Sequence, residues 1–220
     1  MFCFTHEHAT QKTYIPPPHG SAEGDRGRRE VAILHRMELT LSLLAEKLKA
    51  WKGCPLAENA NPVLGEGNPK ASIVFIGEAP GQKEDELGRP FVGPAGKFLD
   101  ELLGSIGLKR SDVYITNIVK YRPPSNRDPE PSEKAACLPW VKLELAIIRP
   151  KIIVALGKHS LQEFFPQLSI SKVHGTPQKL NADFTVFPIY HPAAALHNGG
   201  LREALFEDFR QLKAFLDSSV

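Results

Sequence analysis

Three segments of this sequence carry side chains able to do chemistry, and each follows an apolar run. The first reads GEAPGQKED at 77–85 and continues GRPFVGPAG at 88–96. Glycine and proline at this density fix a rigid backbone whose amides can point into a pocket. Taken alone, the glycine spacing describes a generic phosphate-binding turn. It has neither the Lys-Ser/Thr of a Walker loop nor the dinucleotide fingerprint. The second segment reads TNIVKYRPPSNRDP at 116–129, and the third reads YHPAAA at 190–195. A strand-end Asn117 or His191 considered singly is more often structural than catalytic. Together with the Glu78 loop, and in this order, they point to one shared site.

The elements that must position these residues follow from hydrophobic pattern. Short apolar runs bounded by turn residues at 72–77, 112–117, 152–157 and 185–190 are typical of buried parallel strands. Helical spacing marks 96–106, 132–148 (with Ser132 as N-cap), 160–165 and 201–216, and an earlier helix opens at Met37 with Leu39, Leu43, Leu44 and Leu48. Alternation of this kind predicts a three-layer α/β/α sandwich around a central four-stranded parallel sheet. Ligands in such folds bind where strand carboxyl ends feed loops, which selects 77–96, 117–131, 157–159 and 191–202. Residues 1–36, with three consecutive prolines and little apolar periodicity, are expected to form a loosely ordered tail, and 37–220 a single domain. The tail reads equally well as a natural extension or as residues preceding a start at Met37.

The chain has 220 residues, 42% hydrophobic and 24% charged, enough for one domain with a full core. A net charge of +2 says little about partners, so the placement of individual cations matters more. Three cysteines, Cys3, Cys54 and Cys137, are too few and too odd a set for a disulfide framework. No apolar run approaches a membrane span, and the first residues lack a secretory h-region, so a cytoplasmic address is expected.

The ordered motifs GEGNP, GEAPG, GRPFVGPAGKFLDELL, VYITNIVKYRPPSNRDPEP and YHPAAAL resemble those of family-4 uracil-DNA glycosylases, over about 39–212. That bacterial and archaeal branch usually carries an iron–sulfur cluster. The resemblance implies base excision repair: uracil is flipped out of DNA and its N-glycosidic bond hydrolysed, leaving an abasic site. By resemblance, Phe91 stacks on the flipped ring, and Asn117 matches the O4 and N3–H edge of uracil while mismatching cytosine. His191 donates to uracil O2 as charge develops there, and a neutral imidazole suffices. Glu78 holds the attacking water and favours the cationic sugar. The amides of Gly77, Glu78 and Gly81 are candidates for fixing the uracil edge. Ser125, Asn126, Arg127, Lys172, His174 and Gly175 are candidate phosphate contacts, as are Lys158 and His159, with Leu196 as the wedge entering the vacated stack. The plainer roles are core packing for Phe91, a tight turn for the glycines and solvated surface for the charged residues.

One part of the pattern departs from the family. Where cluster-bearing relatives have four cysteines, this chain has Trp51, Cys54, Tyr121 and Cys137. Iron–sulfur clusters normally need four thiolates, so a cluster-free member is expected, the two aromatics filling the space. The alternative, a [4Fe-4S] cluster using Cys54 and Cys137, is disfavoured. Expected partners are uracil-containing DNA and, among proteins, a sliding clamp or other repair factors, with the chain itself monomeric. A non-catalytic DNA-binding relative, or an unrelated α/β nucleotide enzyme, would be the competing classes.

Overall fold

The computed structural model describes residues 40–181 and 184–218. The expected tail at 1–36, the start at Met37 and Cys3 lie outside the described residues. Strand β1 is Glu66–Gly67, β2 Ile73–Gly77, β3 Tyr114–Asn117, β4 Ile152–Leu156, β5 Gln178–Lys179 and β6 Thr185–Ile189. Helices α1 to α8 are Leu41–Ala50, Gln82–Leu87, Pro94–Ser105, Pro131–Ile148, Gly157–Phe164, Ile170–Val173, Pro192–His197 and Gly200–Ser218. Among the described residues no helix is long and apolar enough to cross a membrane.

The sheet order is β1-β3-β2-β4-β6-β5. The four strands read from the sequence, β2, β3, β4 and β6, are mutually parallel, in the registers Gly77↔Asn117, Phe75↔Val154 and Ala155↔Pro188. The sheet nevertheless has six strands. β1 and β5 each add two residues antiparallel to an edge, too short for the alternation that reveals a strand in sequence.

Successive side chains of a strand point to opposite faces, and here both faces are covered. Val74, Ile76, Ile153, Ala155 and Val186 pack under Leu48 of α1, Val141 and Leu145 of α4 and Leu161 of α5. Phe75, Val154, Leu156, Phe187 and Ile189 pack under Phe98, Leu99 and Leu102 of α3 and Leu205, Phe209 and Leu212 of α8. The cap of helix α4 is Glu130, two residues before the expected Ser132. Pro131 takes the first helical position, where no amide is needed, and the Glu130 amide donates to Glu133 Oε2 at 2.8 Å.

A charged pair lies beneath the carboxyl end of β3. Lys120 and Glu144 are both 0% exposed and their side chains meet at 2.6 Å. The ammonium also donates to Thr116 Oγ1 at 2.7 Å and to the Asn117 carbonyl at 2.9 Å. Glu144 Oε1 accepts from the Gly65 amide and the Tyr114 hydroxyl, at 2.8 and 3.0 Å. A buried pair satisfied this completely is costly to break from one side. Lys120→Met is expected to lower folding stability by about 3–5 kcal/mol in denaturant titration, because Glu144 would remain buried without its cation.

Candidate active site

The parallel strands run in the order β3-β2-β4-β6, so strand order reverses between β2 and β4. Loops leaving adjacent strands diverge at such a switch point and open a crevice. Glu78 leaves β2 on one side of it, and Gly157, Lys158 and His159 leave β4 on the other. His159 Nε2 lies 3.8 Å from Glu78 Oε2 and 3.0 Å from Asp128 Oδ2. Burial pushes the Glu78 carboxyl above its ordinary range. His159, Lys134 and Lys158 act against that rise, and Asp128 adds to it.

Phe91 is placed by its backbone. It holds a left-handed φ of 52°, rare for an aromatic residue. Three contacts enforce it. Arg110 donates to the Pro90 and Phe91 carbonyls at 3.1 and 2.7 Å. Glu84 Oε1 accepts from the Val92 and Gly93 amides at 2.8 and 2.7 Å. A Cβ at position 96 would fall 1.8 Å from the Phe91 carbonyl oxygen, so only glycine lets α3 approach this closely. The ring is 5% exposed and packs with Phe98 and Ile189 in the core, while its face lies 5.7 Å from the His191 ring at 30°. Core packing and a place beside His191 therefore coexist in one residue.

Asn117, Phe91 and Gly77 meet at one point. A Cβ on Gly77 would lie 2.4 Å from Asn117 Oδ1 and 2.5 Å from Phe91 Cζ. Asn117 is 2% exposed, and its Oδ1 is buried without a hydrogen-bond partner. A buried unpaired acceptor is costly in a native protein and marks a position that a ligand donor would satisfy. His191 closes the arrangement from β6, where Gly157, with φ of 86°, leaves it room: a Cβ there would come within 2.9 Å of His191 Cβ. His191 caps α7 by accepting the Ala193 amide at Nδ1, 3.2 Å away. Acceptance at Nδ1 leaves the neutral ring's proton on Nε2. Burial pushes the imidazole down to about 4, assisted by nearby His159 and opposed by Glu84.

The amides named from the sequence are partly committed elsewhere. That of Gly81 donates to Glu84 Oε2 at 3.1 Å. Glu84, Arg110 and Asp128 were not singled out by sequence reasoning. Of these only Glu84 left a signal, an acid three residues after a Gly cap.

The candidate DNA contacts come from separate segments of the chain. Ser125 and Asn126 are consecutive left-handed residues (φ 54° and 55°) in an exposed turn, where Arg122 donates to Asn126 Oδ1 at 2.7 Å. The Arg127 guanidinium is engaged by buried Glu133 at 2.6 and 2.9 Å, so a phosphate would compete with an existing bidentate pair. His174 Nδ1 is held 2.8 Å from Asp208 and its ring lies 4.3 Å from Tyr190. Gly175 donates to the Pro188 carbonyl, and Lys172 lies in the last turn of α6. Leu196 is 47% exposed on α7.

At the departing positions, Cys54, Tyr121 and Cys137 are buried together. The Tyr121 hydroxyl donates to the Trp51 carbonyl at 2.8 Å, at the end of α1, and the Trp51 ring packs on Tyr121 at 6.0 Å and Trp140 at 5.3 Å. Burial pushes both the Tyr121 phenol and the Cys137 thiol up to about 12. Two sulfurs, one of them strongly protonated, beside a phenol already bonded to backbone do not fit a four-thiolate cluster.

An α/β/α protein with an amide, an imidazole and an aromatic ring converging at the strand ends of its switch point is the class these features define. The profile of the Uracil DNA glycosylase superfamily matches residues 64–212. The chain is 49% identical over 188 residues to the type-4 uracil-DNA glycosylase of Saccharolobus solfataricus, covering 81% of this chain and 87% of that protein. It is 44% identical over 188 residues to the type-4 enzyme of Thermotoga maritima, covering 83% and 98%. Identity to the type-5 uracil-DNA glycosylase of Thermus thermophilus is 31% over 182 residues, covering 70% and 83%. The chain belongs to the uracil DNA glycosylase superfamily.

Proposed function

We propose that this protein is a uracil-DNA glycosylase of base excision repair that works without an iron–sulfur cluster. The observation that carries the reading is the buried, unpartnered Asn117 Oδ1 beside Gly77, Phe91 and the Nε2 donor of His191. Asn117 accepts the N3–H of an extruded uracil and donates to its O4. Cytosine, with no N3 proton and an amino group at C4, reverses both demands. Phe91 supplies the stacking surface. As the C1′–N1 bond breaks, its electron pair moves into the base, and charge gathering on O2 is met by His191 Nε2–H. The sugar takes on oxocarbenium character, favoured by the Glu78 carboxylate. Water adds at C1′, Glu78 takes up its proton, and an abasic site and the uracil anion result, the anion then taking a proton from solvent.

A labelled duplex with one uracil, incubated with the protein and then treated with alkali, tests this directly. Strand breakage at uracil, and none at cytosine in the same position, is expected. Binding without breakage would instead identify a DNA-binding relative.

The cluster-free part rests on the packing of Trp51 and Tyr121 and on there being three cysteines in the chain. Anaerobically purified protein is expected to hold no stoichiometric iron or acid-labile sulfide. A yield of about four irons per chain would overturn it.

A further inference from the structure

The glycosylase reading gives roles to Glu78, Phe91, Asn117 and His191 and leaves His159 and Asp128 unused. Yet His159 Nε2, Asp128 Oδ2 and Glu78 Oε2 form one compact group, with ligand atoms within 4.8 Å of one another. The three come from separate parts of the chain. Glu78 follows β2, His159 is the third residue of α5, and Asp128 lies in the 122–130 loop that bears the left-handed Ser125 and Asn126.

One ring nitrogen therefore faces two carboxylates and bonds one of them. At 3.0 Å it is hydrogen-bonded to Asp128, and at 3.8 Å it is too far to bond Glu78 directly. That separation still allows one oxygen to sit within hydrogen-bond reach of both Nε2 and the Glu78 carboxylate. The opposite ring nitrogen, Nδ1, is buried and has no partner. The ring's polar contacts thus all lie on the Glu78 side, and Asp128 decides its tautomer and tilt.

We propose that His159, oriented by Asp128, is a positioning residue for Glu78: it fixes the carboxylate and the oxygen that Glu78 holds, and so ties the water site to the 122–130 loop. This rests on the proposed glycosylase activity. The titratable groups facing Glu78 are His159, Asp128, Lys134 and Lys158, and those facing His159 are Asp128, Glu78 and His191, the last of them neutral. His159 opposes the burial that raises Glu78, so removing the imidazole raises Glu78 further.

The test is single-turnover uracil release by the full chain across pH 4.5–9, for wild type, His159→Ala, His159→Gln, Asp128→Asn and the His159→Ala/Asp128→Asn double variant. Wild-type cleavage in the same experiment tests the glycosylase reading, and the variants test the inference, so the two fail separately. His159→Ala is expected to slow the chemical step about 10–100-fold with little change in the DNA concentration giving half-maximal rate. Its acid limb should move to higher pH, and His159→Gln, which keeps a donor but no charge, should recover rate without restoring the limb. Because Asp128 acts through His159, the double variant should be no slower than His159→Ala. Melting curves identify any variant that fails to fold, and the His159→Gln comparison then decides alone. An unshifted acid limb with rates within twofold of wild type would overturn the inference. So would a rise in half-saturating DNA with an unchanged maximal rate, which would make His159 a DNA contact.

Discussion

Replacing Glu78 by Gln is expected to slow uracil release by about 10²–10⁴-fold and, at neutral pH, to raise the melting temperature. The two effects share a cause. Burial holds the carboxyl above its ordinary range, with Asp128 reinforcing it, and the opposing His159, Lys134 and Lys158 do not cancel this. A carboxyl raised in the folded state binds its proton more tightly there than in the unfolded chain. Its contribution to stability is thus fully present below the unfolded value of 4.5 and is lost as pH rises through the folded value. At pH 7 the native protein carries an ionised group that its surroundings disfavour, and glutamine has no charge to desolvate. The gain over wild type should shrink as pH falls and vanish below about 4.5, which melting at a series of pH values reads directly. The catalytic loss has the opposite origin, since glutamine neither takes a proton from water nor stabilises a cationic sugar. A variant that melts lower at pH 7 while cleaving at the wild-type rate would remove Glu78 from the water site.

The parallel sheet was legible because its four long strands are buried on both faces and read as unbroken apolar runs. Val74, Ile76 and Phe75 have no solvent side to interrupt them. The edge strands were not, because Glu66–Gly67 and Gln178–Lys179 are two residues long and largely exposed, with no apolar run to announce them. Within the site, residues announced by a strand end and its turn chemistry, Glu78, Asn117 and His191, could be found in order along the chain. The residues that hold them in place could not. Arg110 reaches back 19 residues to the Phe91 carbonyl, and Asp128 reaches forward 31 to His159. Neither distance matches any local period, so only the fold reveals them. The Tyr121 substitution shows the converse. Sequence indicated a lost thiolate, but only packing reveals that the phenol closes the end of α1 through the Trp51 carbonyl.

His191→Ala is expected to lower the maximal rate about 10²–10³-fold, the usual consequence of removing one donor from a site of developing negative charge. The protonation state of that donor decides what else should change. Its Nδ1 accepts the Ala193 amide, and burial, with help from His159, pushes the ring down to about 4. Between pH 5 and 9 the imidazole is therefore neutral and donates only through Nε2. The wild-type pH–rate profile should show no limb near 6.5 assignable to His191, and its acid limb should belong to Glu78. Residual activity of His191→Ala should then keep that acid limb, uniformly lowered. A cationic His191 predicts the reverse: a wild-type limb that vanishes in the variant. Stability supplies an independent check. The ring's folded value of about 4 lies below its unfolded value of 6.5, so its contribution is present above 6.5 and is lost as pH falls towards 4. His191→Ala should melt lower above pH 6.5, losing about 1 kcal/mol because α7 loses its N-cap, and that deficit should shrink as pH falls across the window because the variant has no imidazole to charge. A stability deficit at neutral pH that shrinks on acidification, alongside a uniform rate loss with an unmoved acid limb, is a combination that a neutral Nε2 donor produces and an imidazolium does not.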